Sequence, residues 1–340
     1  MQRWARSSSK NHKLHRFDFF PNGSQARALN RRMRLSLADS LQHIAEQSVG
    51  KLPFDFSALE PLISNMRSGD RYPCSSFGIY AEIVLAICNC EHDRAVNLLE
   101  ELVLEKPLAQ PWRVLAIDDP VHVKNMARLL WSMNHDPNTK FFMGPPSADL
   151  VDRFSQRVMA GFSLLASVVP ELAAEFEALV SDVILVVGDD NANYQFDGGS
   201  SYLLWGGLFL NATSHEDEVA MAEVMAHESA HMLLYACAAD EALVKNPDEE
   251  LFPSPLRIDL RPMDGIYHAT FVSARMHWAM AQLISSGRLG DTALASAKAA
   301  CMEDLKNFWS GHEVVARHGQ LTRTGSEVMQ GALSYMESVR

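Results

Sequence analysis

Two histidines four residues apart, His227 and His231, enclose Glu228, Ser229 and Ala230 in an H-E-x-x-H run. Four residues are about one helical turn. On a helix both imidazoles therefore leave the same face and can chelate one divalent metal. Glu228, between them, sits beside a metal-bound water or reactant without being an ordinary ligand. Two histidines are not a complete site. A third protein ligand is needed, with further positions left open for reactants.

Three arrangements offer that ligand. The metzincin spacing requires Gly three residues and His six residues after the second histidine, but Leu234 and Cys237 occupy those positions. The gluzincin pattern requires a Glu about twenty residues on, presented from a helix. Glu249 and Glu250 lie at that distance, but Pro247 and Pro253 bound their segment, which reads as a solvated acidic loop. The third candidate is His268, which opens the next apolar helix.

The elements around the motif suit a metal site. Asp182–Gly188 reads as a β-strand, 189–201 as a polar loop, and Tyr202–Leu210 as a second strand. Thr213-x-x-Glu216 has the form of a capping box, so the metal helix is expected from near Ser214 to about Ala238. Upstream the pattern is mostly helical. Helices are expected over 36–47, 75–104 (one or two), 121–133 and 148–180, the last interrupted near Pro170. Pro107, Pro111 and Pro120 mark one loop and residues 134–146 another. The fold class expected is α+β, predominantly helical, with a small β-element before the H-E-x-x-H helix. The organisation expected is a basic N-terminal segment 1–35, a helical region 36–146 and a metal-binding region 147–340, or one continuous domain from 17 to 340.

Composition narrows the class. Hydrophobic residues make up 47% and charged residues 21% of 340, enough apolar content for a real core. The net charge of −12 is uneven. Residues 1–35 hold nine Lys/Arg against Asp18, a surplus of about +8 that leaves roughly −20 elsewhere. That lead lacks the aromatic interleaving and basic density of a nucleic-acid site and reads as an arm packed on its own body or loosely ordered. No apolar run approaches the ~18 residues of a membrane span, and no apolar stretch follows the N-terminal charges as a secretory signal would. Five cysteines form no disulfide framework, which fits reduced thiols in the cytoplasm. Cys88-x-Cys90-x-His92 ends an apolar helix without a second Cys/His pair at finger spacing, so it is read as structural.

From Asp182 to about Leu283 the chain resembles the H-E-x-x-H peptide-modification proteins that accompany ribosomally made peptides. Four blocks carry the resemblance in order: Gly199-Ser200-Ser201 leading to Leu208-Phe209-Leu210-Asn211; the H-E-x-x-H helix; Ser254-Pro255-Leu256-Arg257-x-Asp259-x-Arg261-Pro262; and Gly265-Ile266-Tyr267-His268-Ala269-Thr270-Phe271-Val272. Weaker similarity extends to Phe17-Asp18-Phe19-Phe20 and to Leu321-Thr322-x-Thr324-Gly325. Leu256 departs from the pattern, which has an aromatic or other large residue there.

The resemblance implies an iron(II)- and 2-oxoglutarate-dependent dioxygenase that hydroxylates a β-carbon of an amino-acid side chain in a ribosomally made peptide. His227, His231 and His268 would hold the metal, with Asp264 or a more distant acid as rival third ligand. About three positions would stay open for 2-oxoglutarate and O2. Glu228 would handle protons beside the metal. The distal carboxylate of 2-oxoglutarate needs a planar cation. Arg261 is the first choice and Arg257 the second; in an extended segment both share a side with Asp259, which would neutralise one of them. Arg275, on the His268 face of its helix, is a further candidate. Gly199, Ser200 and Ser201 would line the peptide groove. The expected partner is a peptide, with no nucleic acid and no membrane. The alternative is a zinc metallopeptidase in which Glu228 is the general base; three imidazoles suit either metal.

Overall fold

The computed structural model describes residues 17–134, 141–188 and 196–340. Residues 1–16 of the basic lead, 135–140 of the second expected loop and 189–195 of the polar loop 189–201 lie outside them. The described residues form eleven α-helices and six strands. In chain order these are α1 (Gly23–Ser48), α2 (Glu60–Ser68), α3 (Cys74–Cys88), α4 (His92–Val103), β1 (Arg113–Ala116), α5 (Met126–Met133), α6 (Ala148–Val168), α7 (Pro170–Leu179), β2 (Asp182–Val186), β3 (Gly198–Ser200), β4 (Gly207–Asn211), α8 (Glu218–Cys237), β5 (Leu251–Phe252), β6 (Arg261–Pro262), α9 (Met263–Ser285), α10 (Asp291–His318) and α11 (Arg323–Ser338). The fold is α+β and predominantly helical. No helix among the described residues is long and apolar enough to cross a membrane. The chain divides into two compact units, each made of separate stretches. One comprises 1–26, 157–176 and 217–340, the other 27–156 and 177–216.

The second unit holds the sheet, in the order β1-β2-β4-β3. β2 pairs in parallel with β1 and β4, and β3 closes one end antiparallel to β4. β2 and β4 are buried along their whole length, which explains their continuous apolar runs. Asp182 begins β2 fully buried because it is fully partnered. Its carboxylate accepts from Arg113 Nε at 2.7 Å, the Cys74 backbone N–H at 2.8 Å and Ser181 Oγ at 3.0 Å. A separate helical core gathers Leu37, Leu41, Ile63, Ile79, Ile83 and Leu99 from α1 to α4.

Three expectations are corrected in this unit. β1 lies in the proline-punctuated segment read as a loop, its prolines flanking rather than interrupting it. β3 falls inside the segment read as a polar loop. The strand expected over Tyr202–Leu210 starts only at Gly207. A 3-10 turn covers Tyr202–Leu204, and Gly206 follows at φ +88°, where any side chain would also meet Ser181 Oγ.

The first unit holds the H-E-x-x-H helix, α8. Its core joins Leu234, Tyr267, Phe271, Phe308, Val328 and Met336 from α8 to α11, with Phe19 packed among them. α9 is buried around most of its circumference, and α10 packs along it. The close approach uses Gly311, where a methyl would run into Thr270 Oγ1. β5 and β6 form a two-stranded ribbon just before α9.

Two boundaries differ from expectation here. α8 starts at Glu218, not near Ser214, and the capping box does not form. Asp217 is the N-cap and accepts from the N–H groups of Val219 at 2.9 Å and Ala220 at 2.8 Å. Thr213 instead bonds Asn211 Oδ1, and His215 at φ +55° breaks the chain direction before the helix. α9 starts at Met263, so His268 sits in its second turn rather than at its start.

Candidate metal centre

His227 and His231 project from one face of α8, as a four-residue spacing dictates. Their Nε2 atoms stand 3.0 Å apart, with ring centroids 4.7 Å apart at 63°. Two nitrogens each about 2.1 Å from one ion and at right angles are separated by about 3.0 Å. The pair therefore fits two adjacent positions on one metal. Glu228 is buried, its Oε1 3.9 Å from His227 Nε2.

α9 brings His268 to the same place. Its Nδ1 lies 3.0 Å from His231 Nδ1, the nitrogen opposite the one turned to His227. The rings are nearly coplanar, at 21°, and their centroids are 5.2 Å apart, little more than the N···N distance plus two ring half-widths. That is edge-to-edge hydrogen-bond geometry rather than stacking. A neutral His231 whose Nε2 lone pair faces His227 carries its proton on Nδ1 and donates it to His268. The structure thus brings all three predicted imidazoles together, two at ligand spacing and the third against the outer nitrogen of His231. Among the described residues no group of three His, Cys, Asp or Glu side chains is arranged to hold a metal ion.

Burial holds His231 well below the ordinary histidine range, and charge on His227 or His268 would push it lower still. Burial also lowers His268, against the pull of Asp264. Both rings are neutral at neutral pH, the form that binds metal.

Two neighbours were not evident in the sequence. Met276 Sδ lies 3.3 Å from His227 Nδ1. The Tyr235 ring lies 6.2 Å from that of His231 and 5.4 Å from that of His268. Tyr235 is four residues beyond His231 on α8, so the helical period could have found it; Met276 is a contact between helices with no local signal.

Arg257, Asp259 and Arg261 do share a side of the segment leading to β6. Arg257 grips Asp259 with two contacts, Nε–Oδ1 at 2.8 Å and Nη2–Oδ2 at 3.2 Å, while Arg261 Nη1 reaches Oδ2 at 3.4 Å. Partial burial pushes the Asp259 carboxyl up, but the Arg257 hydrogen bonds and both guanidiniums outweigh it and hold the group below its usual range. Asp264 is exposed in the first turn of α9. Glu249 and Glu250 are exposed ahead of β5, outside any helix, as read from the prolines.

Arg275 is corrected. It is buried, ion-paired with Glu175 and bonded to the Phe19 carbonyl, so it serves the core rather than a diacid. In the other unit, Gly199 on β3 faces Met133 and Phe196, and Ser201 is buried with its hydroxyl donating to the Ser132 carbonyl at 3.0 Å.

No family model matches the chain, and no curated protein sequence matches it.

Proposed function

We propose that this protein is an iron(II)- and 2-oxoglutarate-dependent hydroxylase acting on a β-carbon of an amino-acid side chain in a ribosomally made peptide, in the cytoplasm. The observation that carries the reading is the 3.0 Å separation of His227 Nε2 and His231 Nε2, with His268 one hydrogen bond away. The resemblance to the H-E-x-x-H peptide-modification proteins supplies the reaction class. Iron(II) with 2-oxoglutarate and O2 provides the oxidising power for C–H hydroxylation.

The resemblance implies that His227, His231 and His268 would hold the metal; the geometry supports the His227 and His231 Nε2 pair, while His268 Nδ1 is turned to the outer nitrogen of His231. Burial lowers the His231 and His268 rings and so favours their neutral form. Arg261 takes the distal carboxylate of 2-oxoglutarate. Arg257 grips Asp259 in bidentate fashion, so the looser Arg261 contact is the more readily exchanged for a ligand carboxylate. Glu228 moves protons beside the metal. Among the described residues β3 ends its sheet, and the resemblance implies that the Gly199-Ser200-Ser201 segment lines the peptide groove.

The test is anaerobic reconstitution with iron(II), followed by assay of 2-oxoglutarate conversion to succinate on adding O2. Turnover in the wild type that His227→Ala, His231→Ala and His268→Ala each abolish supports the reading. Glu228 beside His227 equally suits a zinc peptidase base. Peptide cleavage with zinc and no oxygen requirement would overturn the hydroxylase.

A further inference from the structure

A guanidinium drawn out of water is stabilised by a carboxylate that neutralises it, or by acceptors for its N–H groups. Two arginines of the second unit have only the second kind of partner. Arg34, on α1, gives Nη1 to the Met66 carbonyl at 2.9 Å and, more loosely, to that of Asp70 at 3.5 Å. Arg71, between α2 and α3, gives its two terminal nitrogens to the carbonyls of Glu177 and Val180. These bonds satisfy carbonyls at the ends of α2 and α7. They leave both charges without an ion pair among the described residues, and Arg34 Nε is buried with no acceptor there.

Both arginines line one cavity. Asn30 and Arg34 on α1, Arg71 and Tyr72 ahead of α3, Ser181 before β2 and Trp205 before β4 wall a narrow space of about 210 Å3, part of it open to solvent. All belong to the second unit. Asn30 and Arg34 are four residues apart, so α1 presents both from one face. Asn30 Oδ1 accepts from Trp205 Nε1 at 3.0 Å, which leaves Asn30 its amide N–H groups to give. Burial first, and Arg34 second, push the Arg71 guanidinium down to about 10, against the pull of Asp182 and Glu177. Asp182 is itself engaged, by Arg113 Nε at 2.7 Å and Ser181 Oγ at 3.0 Å.

We propose that this cavity binds a small inorganic oxyanion of the phosphate class, held between Arg34 and Arg71 with the Asn30 amide as a further donor. Guanidinium forks match the oxygens of such an anion, and Arg34 Nε–H gains the acceptor it lacks. Size narrows the class. Pockets for drug-sized ligands begin at roughly 300 Å3, so a free oxyanion fits where a nucleotide does not. The helix-end carbonyls account for how each guanidinium is anchored. They do not account for two like charges lining one narrow space. A bound anion neutralises that pair and ties α1 to the segment joining α2 and α3. The inference is independent of the metal centre and of the reaction assigned to it.

The test titrates the full chain with sodium phosphate, and with sodium chloride at matched ionic strength, by calorimetry and thermal melting. The wild type should bind one phosphate per chain, and its melting temperature should rise with phosphate but not with chloride. Arg34→Gln removes one charge and keeps an amide that can still reach the Met66 carbonyl. Its phosphate affinity should fall roughly tenfold or more. Asn30→Asp keeps the oxygen that Trp205 uses and sets a carboxylate beside Arg34. It should melt cooperatively and bind no phosphate. A wild type that binds no phosphate, or responds to chloride equally, would overturn the assignment. So would unchanged affinity in either folded variant. If Arg34→Gln fails to fold, Asn30→Asp decides the location alone, and the comparison with chloride needs no variant.

Discussion

At the scale of single residues the decisive group is Glu228. It is 2% exposed, and its carboxylate lies 3.9 Å from His227 Nε2, too far for a direct bond and close enough to act on a reactant bound there under the proposed reading. Under the hydroxylase reading it moves protons and does not hold the ion. Glu228→Gln should therefore bind cobalt(II) within about threefold of the wild type while forming succinate at least ~10-fold more slowly. Isothermal titration and succinate assay check the two halves separately. Loss of metal binding would instead make Glu228 a ligand. The His227 and His231 pair was legible because helical spacing alone fixes their common face. His268 was legible as a candidate, but not its hydrogen bond through Nδ1 to His231, since no sequence pattern specifies which ring edge meets which. Met276 was not legible at all, because thioethers in apolar helices usually only fill space.

At the scale of elements, the order strand, helix, acidic loop, helix was readable from periodicity and turn residues, and the limits of that reading have physical causes. The capping box at Thr213 and Glu216 lost to Asp217 because Asn211 had already taken Thr213 into its own turn. β1 and β3 are four and three residues long, and each is defined by its partner strand more than by its own sequence. Arg275, placed by its helical spacing on the His268 face, belongs instead to an ion pair between α7 and α9. Glu175 is fully buried; burial pushes its carboxyl up and Arg275 opposes that shift. Removing one partner strands a buried charge. Arg275→Met should cost about 3–5 kcal/mol of stability, while the double variant Arg275→Met/Glu175→Leu should recover much of it. Urea denaturation of the wild type, Arg275→Met, Glu175→Leu and the double variant forms the cycle. A double variant no better than the single would show that the bond to the Phe19 carbonyl, not the ion pair, does most of the holding.

At the scale of the whole molecule, an excess of acid gives the chain its net charge of −12, and two of its acids are placed where charge is costly. Asp304, on α10, is 2% exposed, and its Oδ2 has no hydrogen-bond partner among the described residues. Burial, then the charges of Glu223 and Glu303, push its carboxyl up to about 9. Burial and Asp217 push Glu223, on α8, up to about 7. Near them Cys301 rises to about 11, through burial first and Asp304 second. At Asp304 and Glu223 the folded state thus keeps protons that the unfolded chain releases near pH 4. Wherever the folded form binds more protons, stability falls as pH rises. The contribution of Asp304 is whole below about pH 4 and is lost progressively as pH climbs toward 9, by at most ~1.4 kcal/mol per pH unit. Asp304→Asn cannot ionise and escapes that loss. The variant should match the wild type within about 1 kcal/mol at pH 5 and exceed it by roughly 1–3 kcal/mol at pH 8.5, the usual scale for relieving a buried uncompensated group. Urea midpoints across that pH range measure the difference directly. A gap between the two proteins that stays constant with pH would mean that Asp304 is ionised throughout and has found a cation to pair with.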